Sequence, residues 1–257
     1  MKKTRDYTLL TSRLDRALDG TGTVSALGEF AAKNTTYALQ KIVLGAGNPR
    51  RVLISAGIHG DEPAGIECIH EFLANKIYKS YLPDWEITLL PCMNPTGYET
   101  NRRNNHSDRD LNRLFKSTQE VEEVALIQSA FSAEFDLSIE LHEDEDSPGY
   151  YLYQKSATST GVFPGNKILD SVANIAPINN RAEIEGLPAD NGVIHKLSEP
   201  HQMDWWPMAV YSWSRGTKLC LTLESPPHLP MATRVQAHLV AIDATINLCS
   251  QADQLNL

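Results

Sequence analysis

The sequence lacks several features that would place it in a special class of protein. It has no run of about 18 apolar residues, so we expect no membrane-spanning helix. The residues after Met1 are polar and no apolar secretion signal follows them, so we expect a cytoplasmic protein. The four cysteines lie far apart in apolar segments, which favours reduced thiols in the core over disulfides or metal ligands.

An excess of basic charge is also missing. The 257 residues include 23 Lys and Arg against 32 Asp and Glu, a formal net charge of −9. This balance argues against nucleic acid or an anionic membrane as a partner. No glycine-rich phosphate loop follows the first apolar strand, because residues 56–60 read Ala-Gly-Ile-His-Gly, which excludes a typical nucleotide-binding protein.

What the sequence does contain is an alternation of short β-rich runs and helical patterns. The pattern predicts strands over 51–57, 86–91, 136–142 and 218–224, and helices that begin near Pro63 and Pro230. Such alternation is typical of an α/β domain with a mixed, mostly parallel sheet flanked by helices on both faces. We expect a single domain over 1–257, with 1–35 as an N-terminal extension and 155–215 as a loop-rich decoration.

Candidate metal ligands follow two of the predicted strands, at the sheet edge where ligands usually bind. His59 and Glu62 are three residues apart at a strand-to-helix turn, and His142 ends another strand. Two histidines and a glutamate are a usual ligand set of a catalytic zinc. Each residue also has an ordinary interpretation, as part of a surface loop, a helix cap or a structural histidine.

Glu224 ends a fourth apolar strand. Beside a metal ion, a carboxylate in this position could act as a general base. The alternative is a carboxylate that simply accepts hydrogen bonds from a neighbouring loop.

Four arginines fall within residues 102–113 of this acidic chain. The planar guanidinium matches a carboxylate with two hydrogen bonds, so the segment could capture an anionic group. The alternative is a surface ion-pair network with Asp108 and Asp110.

Together these segments resemble the zinc carboxypeptidase superfamily, which includes the aspartoacylase and succinylglutamate desuccinylase branch. The similarity spans roughly residues 50–250. It rests on five motifs in family order: His59-Gly-Asp-Glu62, Asn94-Pro-Thr-Gly97, Arg103 seven residues before Asp110-Leu-Asn-Arg113, Leu141-His142, and Leu-Thr-Leu-Glu224. The resemblance implies the zinc carboxypeptidase fold.

The resemblance also implies a catalytic centre. His59, Glu62 and His142 match the ligands of one Zn²⁺ per chain. Glu224 matches the general base that activates a zinc-bound water and passes the proton to the leaving amine.

Substrate-binding roles follow in the same way. Arg103 matches the arginine that stabilises the oxyanion, and Arg102 would take its place if the register slips by one. Asn112 and Arg113 match the pair that binds the free carboxylate of the substrate. The family's mobile tyrosine, about twenty residues before the glutamate, has no assigned counterpart here.

We therefore expect a zinc metallocarboxypeptidase or peptide amidase that hydrolyses an amide bond next to a free carboxylate. Its substrate would be a small peptide or an N-acyl amino acid. An N-acyl amino acid deacylase is the alternative, although only 33 residues follow Glu224 and that branch resembles a chain with a second β-rich domain. A non-catalytic carboxylate-binding protein on the same fold is a third hypothesis.

One further expectation concerns charge. Residues 134–146 carry seven acidic groups and no basic one. We hypothesise that the run from Glu143 to Asp146 attracts an amino group of the substrate.

Overall fold

The computed structural model describes residues 4–116, 121–156, 164–195, 197 and 199–254. Within them the helices are α1 (Tyr7–Leu18), α2 (Pro63–Ala74), α3 (Pro95–Thr100), α4 (Glu122–Ser129), α5 (Gly165–Val172), α6 (Met208–Ser214) and α7 (Met231–Gln254). The strands are β1 (Thr23–Ala32), β2 (Thr35–Leu44), β3 (Arg50–Ala56), β4 (Trp85–Leu90), β5 (Leu137–Glu143), β6 (Tyr151–Ser156), β7 (Glu183–Ile184), β8 (Leu187–Pro188), β9 (Val193–Ile194) and β10 (Leu219–Ser225).

Eight of these strands form one mixed sheet in the order β1-β2-β4-β3-β5-β10-β6-β9. The four central strands β4, β3, β5 and β10 are parallel, and β1, β2 and β6 pair antiparallel to their neighbours on the central side. The predicted fold class is confirmed. Each predicted strand is present within two residues of its expected bounds, because buried central strands are rich in apolar residues and easy to find.

Helices cover both faces of the sheet. Helices α1, α2, α5 and α7 contact one another on one face, while α6 packs against β5 and β10 on the other. The apolar spacing of α2 explains its placement, since Ile66, Ile69 and Phe72 are buried together in the core. Among the described residues, no helix combines the length and the hydropathy that a membrane crossing requires.

The two segments predicted to lie outside the central fold contribute to it. In 1–35, helix α1 packs on α2, and β1 forms an edge of the sheet. In 155–215, helix α5 packs on α7 and α6 packs on the central strands. Loops connect these elements, but the described part of each segment also carries core side chains such as Leu14 and Ile168.

The parallel strands place the candidate site residues at one edge of the sheet. Strands β3, β5 and β10 run in the same direction, and His142 on β5 lies beside Glu224 on β10 in the register. Gly57 at the end of β3 has a φ of +65°, a conformation that glycine adopts without steric cost. The chain can therefore turn at once and place His59 at the same edge.

Gly60 is the tightest point of this turn. A Cβ atom there would lie 1.9 Å from the carbonyl carbon of Gly97, a backbone atom that cannot rotate away. The amide of Gly60 donates to the carbonyl of Arg103, and its carbonyl accepts from the guanidinium of Arg5. The turn is thereby packed against both the arginine-rich segment and the N-terminal segment.

We predict that Gly60→Ala lowers the free energy of unfolding by about 3 kcal/mol because the backbone must shift. The matched control is Gly47→Ala, where φ is +90° but nothing lies within 4 Å of the added carbon. Its expected cost is about 1 kcal/mol. Urea denaturation measures both, and equal stability of the two variants would contradict the prediction.

Candidate metal centre

His59, Glu62 and His142 converge at the edge of the sheet. Their candidate ligand atoms all lie within 4.8 Å of one another, and the three side chains are buried. The carboxylate of Glu62 bridges the two rings, with Oε1 at 2.7 Å from Nδ1 of His59 and Oε2 at 2.9 Å from Nδ1 of His142. The three residues could hold a metal ion, and their donor set suits catalytic zinc.

The charges in this cluster are strongly coupled. Burial alone would lower the pKa of His142, but the carboxylates of Glu62 and Glu140 raise it well above the ordinary value. Burial alone would raise the pKa of Glu62, but the two histidines lower it below the ordinary value. A proton on His142 therefore neutralises Glu62 where a metal ion would otherwise do so.

Each histidine has a second carboxylate on its other ring nitrogen. Nε2 of His59 lies 3.1 Å from Oδ1 of Asp110, and Nε2 of His142 lies 3.8 Å from Oε2 of Glu140. Such partners orient metal-binding histidines and set which nitrogen carries the proton. The two rings are thus arranged with Nδ1 facing Glu62.

The arginine-rich segment reaches the same cluster through Asp110. Arg103 donates from Nε to Oδ2 of Asp110 at 3.1 Å, and its Nη1 lies 3.5 Å from Oε1 of Glu62. Arg113 pairs with the same Asp110 oxygen at 3.2 Å. Burial would raise the pKa of Asp110, but the hydrogen bond from His59 and the charge of Arg103 lower it to about 2.

Arg102, the alternative in the shifted register, is placed differently. It pairs with the exposed Asp108 at 2.7 Å, whereas Arg103 contacts Glu62. Arg103 therefore contacts the candidate ligand cluster and Arg102 an exposed carboxylate, and the substrate-binding roles of both arginines stay predictions. The ion pairs foreseen as the alternative for this segment are also present, and they form part of the site.

Asn112 and Arg113 lie at the outer side of the cluster, in a short 3₁₀ turn over Leu111–Arg113. Oδ1 of Asn112 accepts from the amide of Met208, which joins this turn to the start of α6. The guanidinium of Arg113 lies 5.2 Å from the ring centre of Trp205. Arg113 is 58% exposed, so a ligand can reach it.

Glu224 stands beside the candidate metal ligands. In the sheet register it lies between His142 on β5 and Tyr151 on β6, and it is half-buried. Burial and the nearby carboxylates of Glu62 and Asp144 raise its pKa to about 8, against the opposing effect of His142. A carboxyl group with this pKa can hold or release a proton near neutral pH.

The acidic run is not a solvated loop as a whole. Glu143 is buried, accepts from the amide of Ala64 and forms an ion pair with Arg234 on α7. Asp144 accepts from the hydroxyl of Tyr151. Glu143 is therefore already paired inside the protein, while the hypothesis that the rest of the run up to Asp146 attracts a substrate amine stays a prediction.

Sequence reasoning missed the supporting roles of two carboxylates. In the sequence, Asp110 stands out only as part of a motif or a surface ion pair, and Glu140 only as part of the acidic run. A signal for Glu140 was available, since it lies two residues before His142 on an apolar strand and must share its face.

Residues 48–163 match the family described as the succinylglutamate desuccinylase/aspartoacylase catalytic domain. A candidate metallopeptidase from Shewanella denitrificans has a similar structure, with a TM-score of 0.80 at 23% identity over 95% of this chain and 90% of that chain. The resemblance to the zinc carboxypeptidase superfamily is confirmed.

Two further proteins are similar to this chain. A metallo-carboxypeptidase from Pseudomonas aeruginosa, in complex with (2-guanidinoethylmercapto)succinic acid, has a TM-score of 0.68 at 16% identity over 96% of this chain and 69% of that chain. Mouse carboxypeptidase M is 32% identical in an alignment 112 residues long, which covers 34% of this chain and 25% of that protein. The matched region thus spans a quarter of that curated relative.

We predict that metal uptake at pH 7 releases at least about one proton per ion, because the proton on His142 must leave. Calorimetric titration with Zn²⁺ in two buffers of different ionisation enthalpy measures this release. His142→Ala should lose tight binding, while substitution of the exposed His228 to Ala should keep it. Uptake without proton release, or equal affinity in the two variants, would contradict the prediction.

Proposed function

We propose that this protein is a metal-dependent hydrolase that cleaves an amide bond next to a free carboxylate, as a metallocarboxypeptidase or peptide amidase. The observation that carries this proposal is the position of Glu224 beside the His59, Glu62 and His142 cluster, at the edge that also holds Arg103 and Arg113. Zinc as the metal and the cytoplasm as the location stay predictions.

The site residues suit an ion with Lewis-acid chemistry. A zinc ion held by this ligand set would lower the pKa of a water molecule to about 7 and polarise a carbonyl group. Glu224 would take a proton from the attacking water at its carboxylate and give it to the leaving nitrogen. The positive charge of a metal ion nearby would favour the ionised carboxylate, which is the form that accepts a proton.

Arg103 and Arg113 would each interact with a different negatively charged part of the substrate. Arg103 reaches the ligand Glu62, so its guanidinium can stabilise negative charge that develops on the scissile carbonyl. Arg113 lies on the outer side of Asp110 and is more exposed, so it can bind the free carboxylate with Asn112. Asp110 holds both guanidinium groups in place before a substrate arrives.

The relatives support the same class of substrate. The Pseudomonas carboxypeptidase binds a substituted succinic acid, a molecule with two carboxyl groups. Mouse carboxypeptidase M is a named carboxypeptidase, although only a quarter of it is matched.

An N-acyl amino acid deacylase is the second candidate. It is favoured by the match of residues 48–163 to the desuccinylase and aspartoacylase catalytic domain. Both candidates need the same centre and the same carboxylate, and they differ in the group on the other side of the amide bond. Mass spectrometry of a mixture of free peptides, murein peptides and N-acyl amino acids, incubated with the zinc-loaded protein, distinguishes them.

We predict that Glu224→Gln lowers kcat by at least about 100-fold, because proton transfer loses its base. Metal content, measured by elemental analysis, should stay unchanged. The control is Glu134→Gln, which removes an exposed carboxylate that lies before β5. A Glu224→Gln variant that keeps near-normal turnover would exclude Glu224 as the base.

We also predict that conversion of the free carboxylate of the substrate to an amide raises KM for the native protein by about tenfold or more. Arg113→Met should raise KM for the free acid and remove the difference between acid and amide. Arg102→Met is the matched control, since Arg102 pairs with Asp108 instead. If the native protein does not distinguish acid from amide, Arg113 does not bind the carboxylate.

A further inference from the structure

A side chain from the N-terminal segment (residues 4–7) contacts the turn that carries two of the candidate metal ligands. Nη1 of Arg5 donates to the carbonyl oxygen of Gly60 at 2.9 Å. That carbonyl lies in the short stretch of chain between His59 and Glu62. The contact therefore fixes the direction of the backbone where it passes from one candidate ligand to the other.

Two other hydrogen bonds of this turn are longer. The amide of Gly60 lies 3.4 Å from the carbonyl oxygen of Arg103, and the amide of Glu62 lies 3.4 Å from the carbonyl oxygen of His59. A hydrogen bond from a guanidinium is charge-assisted, which makes it stronger than a bond between two neutral groups. Of these three bonds, the one from Arg5 is both the shortest and the one with a charged donor.

The guanidinium of Arg5 is itself held in place. Its Cζ lies 5.2 Å from the ring centre of Tyr98 on α3, a distance at which a cation and an aromatic face attract each other. The residue is half-buried. The ring of Tyr98 and the carbonyl of Gly60 together therefore leave the side chain of Arg5 few other orientations.

The backbone that carries Arg5 is anchored to the same helix. The amides of Thr4 and Arg5 both donate to the carbonyl oxygen of Glu99, at 2.7 and 3.3 Å. The carboxylate of Glu99 accepts from the amide of Tyr7 at 3.2 Å and from the hydroxyl of Tyr37 at 2.7 Å. The N-terminal segment is therefore attached through Glu99 to both α3 and β2, and this attachment fixes the backbone position of Arg5.

Metal binding depends on the shape of the turn that Arg5 contacts. The candidate ligand atoms of His59, Glu62 and His142 lie within 4.8 Å of one another. A site that is arranged before its ligand arrives binds more tightly than a site that the ligand has to order. His142 is part of β5, whereas His59 and Glu62 lie in the turn before α2. The turn is therefore the part of the site that most needs support from outside the sheet.

We propose that Arg5 is a positioning residue of the candidate metal centre, because it keeps residues 59–62 in the arrangement that binds a metal ion. The ion would contact His59, Glu62 and His142, and Arg5 would act through the backbone of the turn. The inference rests on the metal centre of the proposed function and does not depend on which amide bond is cleaved. It gives the N-terminal segment, which the sequence predicts as an extension, a role in the site.

Competition titration of Zn²⁺ against a chromophoric chelator tests the role of Arg5. Arg5→Met keeps an unbranched side chain beside Tyr98 but removes the donor to Gly60. We expect this variant to bind Zn²⁺ about tenfold more weakly or worse, as happens when a group that orients metal ligands is lost. Arg5→Lys restores a cationic donor and should recover part of the affinity. Native affinity in Arg5→Met, or no recovery in Arg5→Lys, would overturn the inference.

Arg13→Met is the matched control. Arg13 also lies near the start of the chain, and its guanidinium donates to both carboxylate oxygens of Glu67 on α2, at 3.0 and 2.8 Å. Its removal breaks a contact between α1 and α2 but removes no bond to residues 59–62. We expect Arg13→Met to bind Zn²⁺ with nearly native affinity. An equal loss of affinity in the two variants would mean that Arg5 acts only through general stability, and would overturn the inference.

Hydrogen exchange followed by mass spectrometry measures the turn directly, in this chain without added Zn²⁺. Peptides that cover residues 57–63 should exchange faster in Arg5→Met than in the native protein, because the turn opens more often when Gly60 loses its donor. Arg13→Met should exchange at the native rate in this segment. Unchanged exchange of residues 57–63 in Arg5→Met would overturn the inference.

These measurements use no substrate, so they separate this inference from the proposed reaction. If the native protein binds Zn²⁺ but hydrolyses no amide, the proposed function fails, and a weaker affinity of Arg5→Met still supports the inference. If the native protein hydrolyses an amide and Arg5→Met matches it in zinc affinity and in exchange, the inference fails and the proposed function stands.

Discussion

The burial of the Glu62 carboxylate is the constraint on which the site depends. A buried carboxylate is strongly destabilising unless hydrogen bonds and opposite charges surround it. Here the two histidine rings and the amide of Glu143 provide these partners. They come from the turn after β3 and from the end of β5, so the protein can satisfy Glu62 only by holding those two strand ends together at the start of α2.

Asp110 extends the same electrostatic network outward to the substrate. It contacts His59 on one side and both Arg103 and Arg113 on the other. A change in charge at the candidate metal ligands therefore alters the electrostatic potential two contacts away, at the groups proposed to bind the substrate. Behind the cluster, the Glu143–Arg234 pair connects the end of β5 to α7. The metal centre is thus supported from the helical layer as well as from the arginine-rich segment.

The order of strands and helices can be predicted from the sequence because buried segments are rich in apolar residues. Central strands such as β5 and β10 carry a leucine or isoleucine at nearly every second position, and the polar residues near the end of each strand mark the edge of the sheet. The antiparallel strands β1 and β2 were less visible, since half of their residues face outward. The sequence does not show which of Arg102 and Arg103 contacts the candidate metal ligands. Their side chains point in different directions because they are adjacent in a turn, and only the path of the backbone defines those directions.

The sequence alone predicts the fold class, the candidate ligands His59, Glu62 and His142, and a carboxylate-bearing substrate. The fold class and the candidate ligands follow from residue type, spacing and strand ends, which are local properties of the chain, and the substrate follows from the family resemblance of the motifs. Only the tertiary structure decided that Glu143 pairs with Arg234 and that Arg5 reaches the carbonyl of Gly60. Both depend on contacts between residues far apart in the chain, and the sheet register and helix packing that create them are not encoded in any single segment.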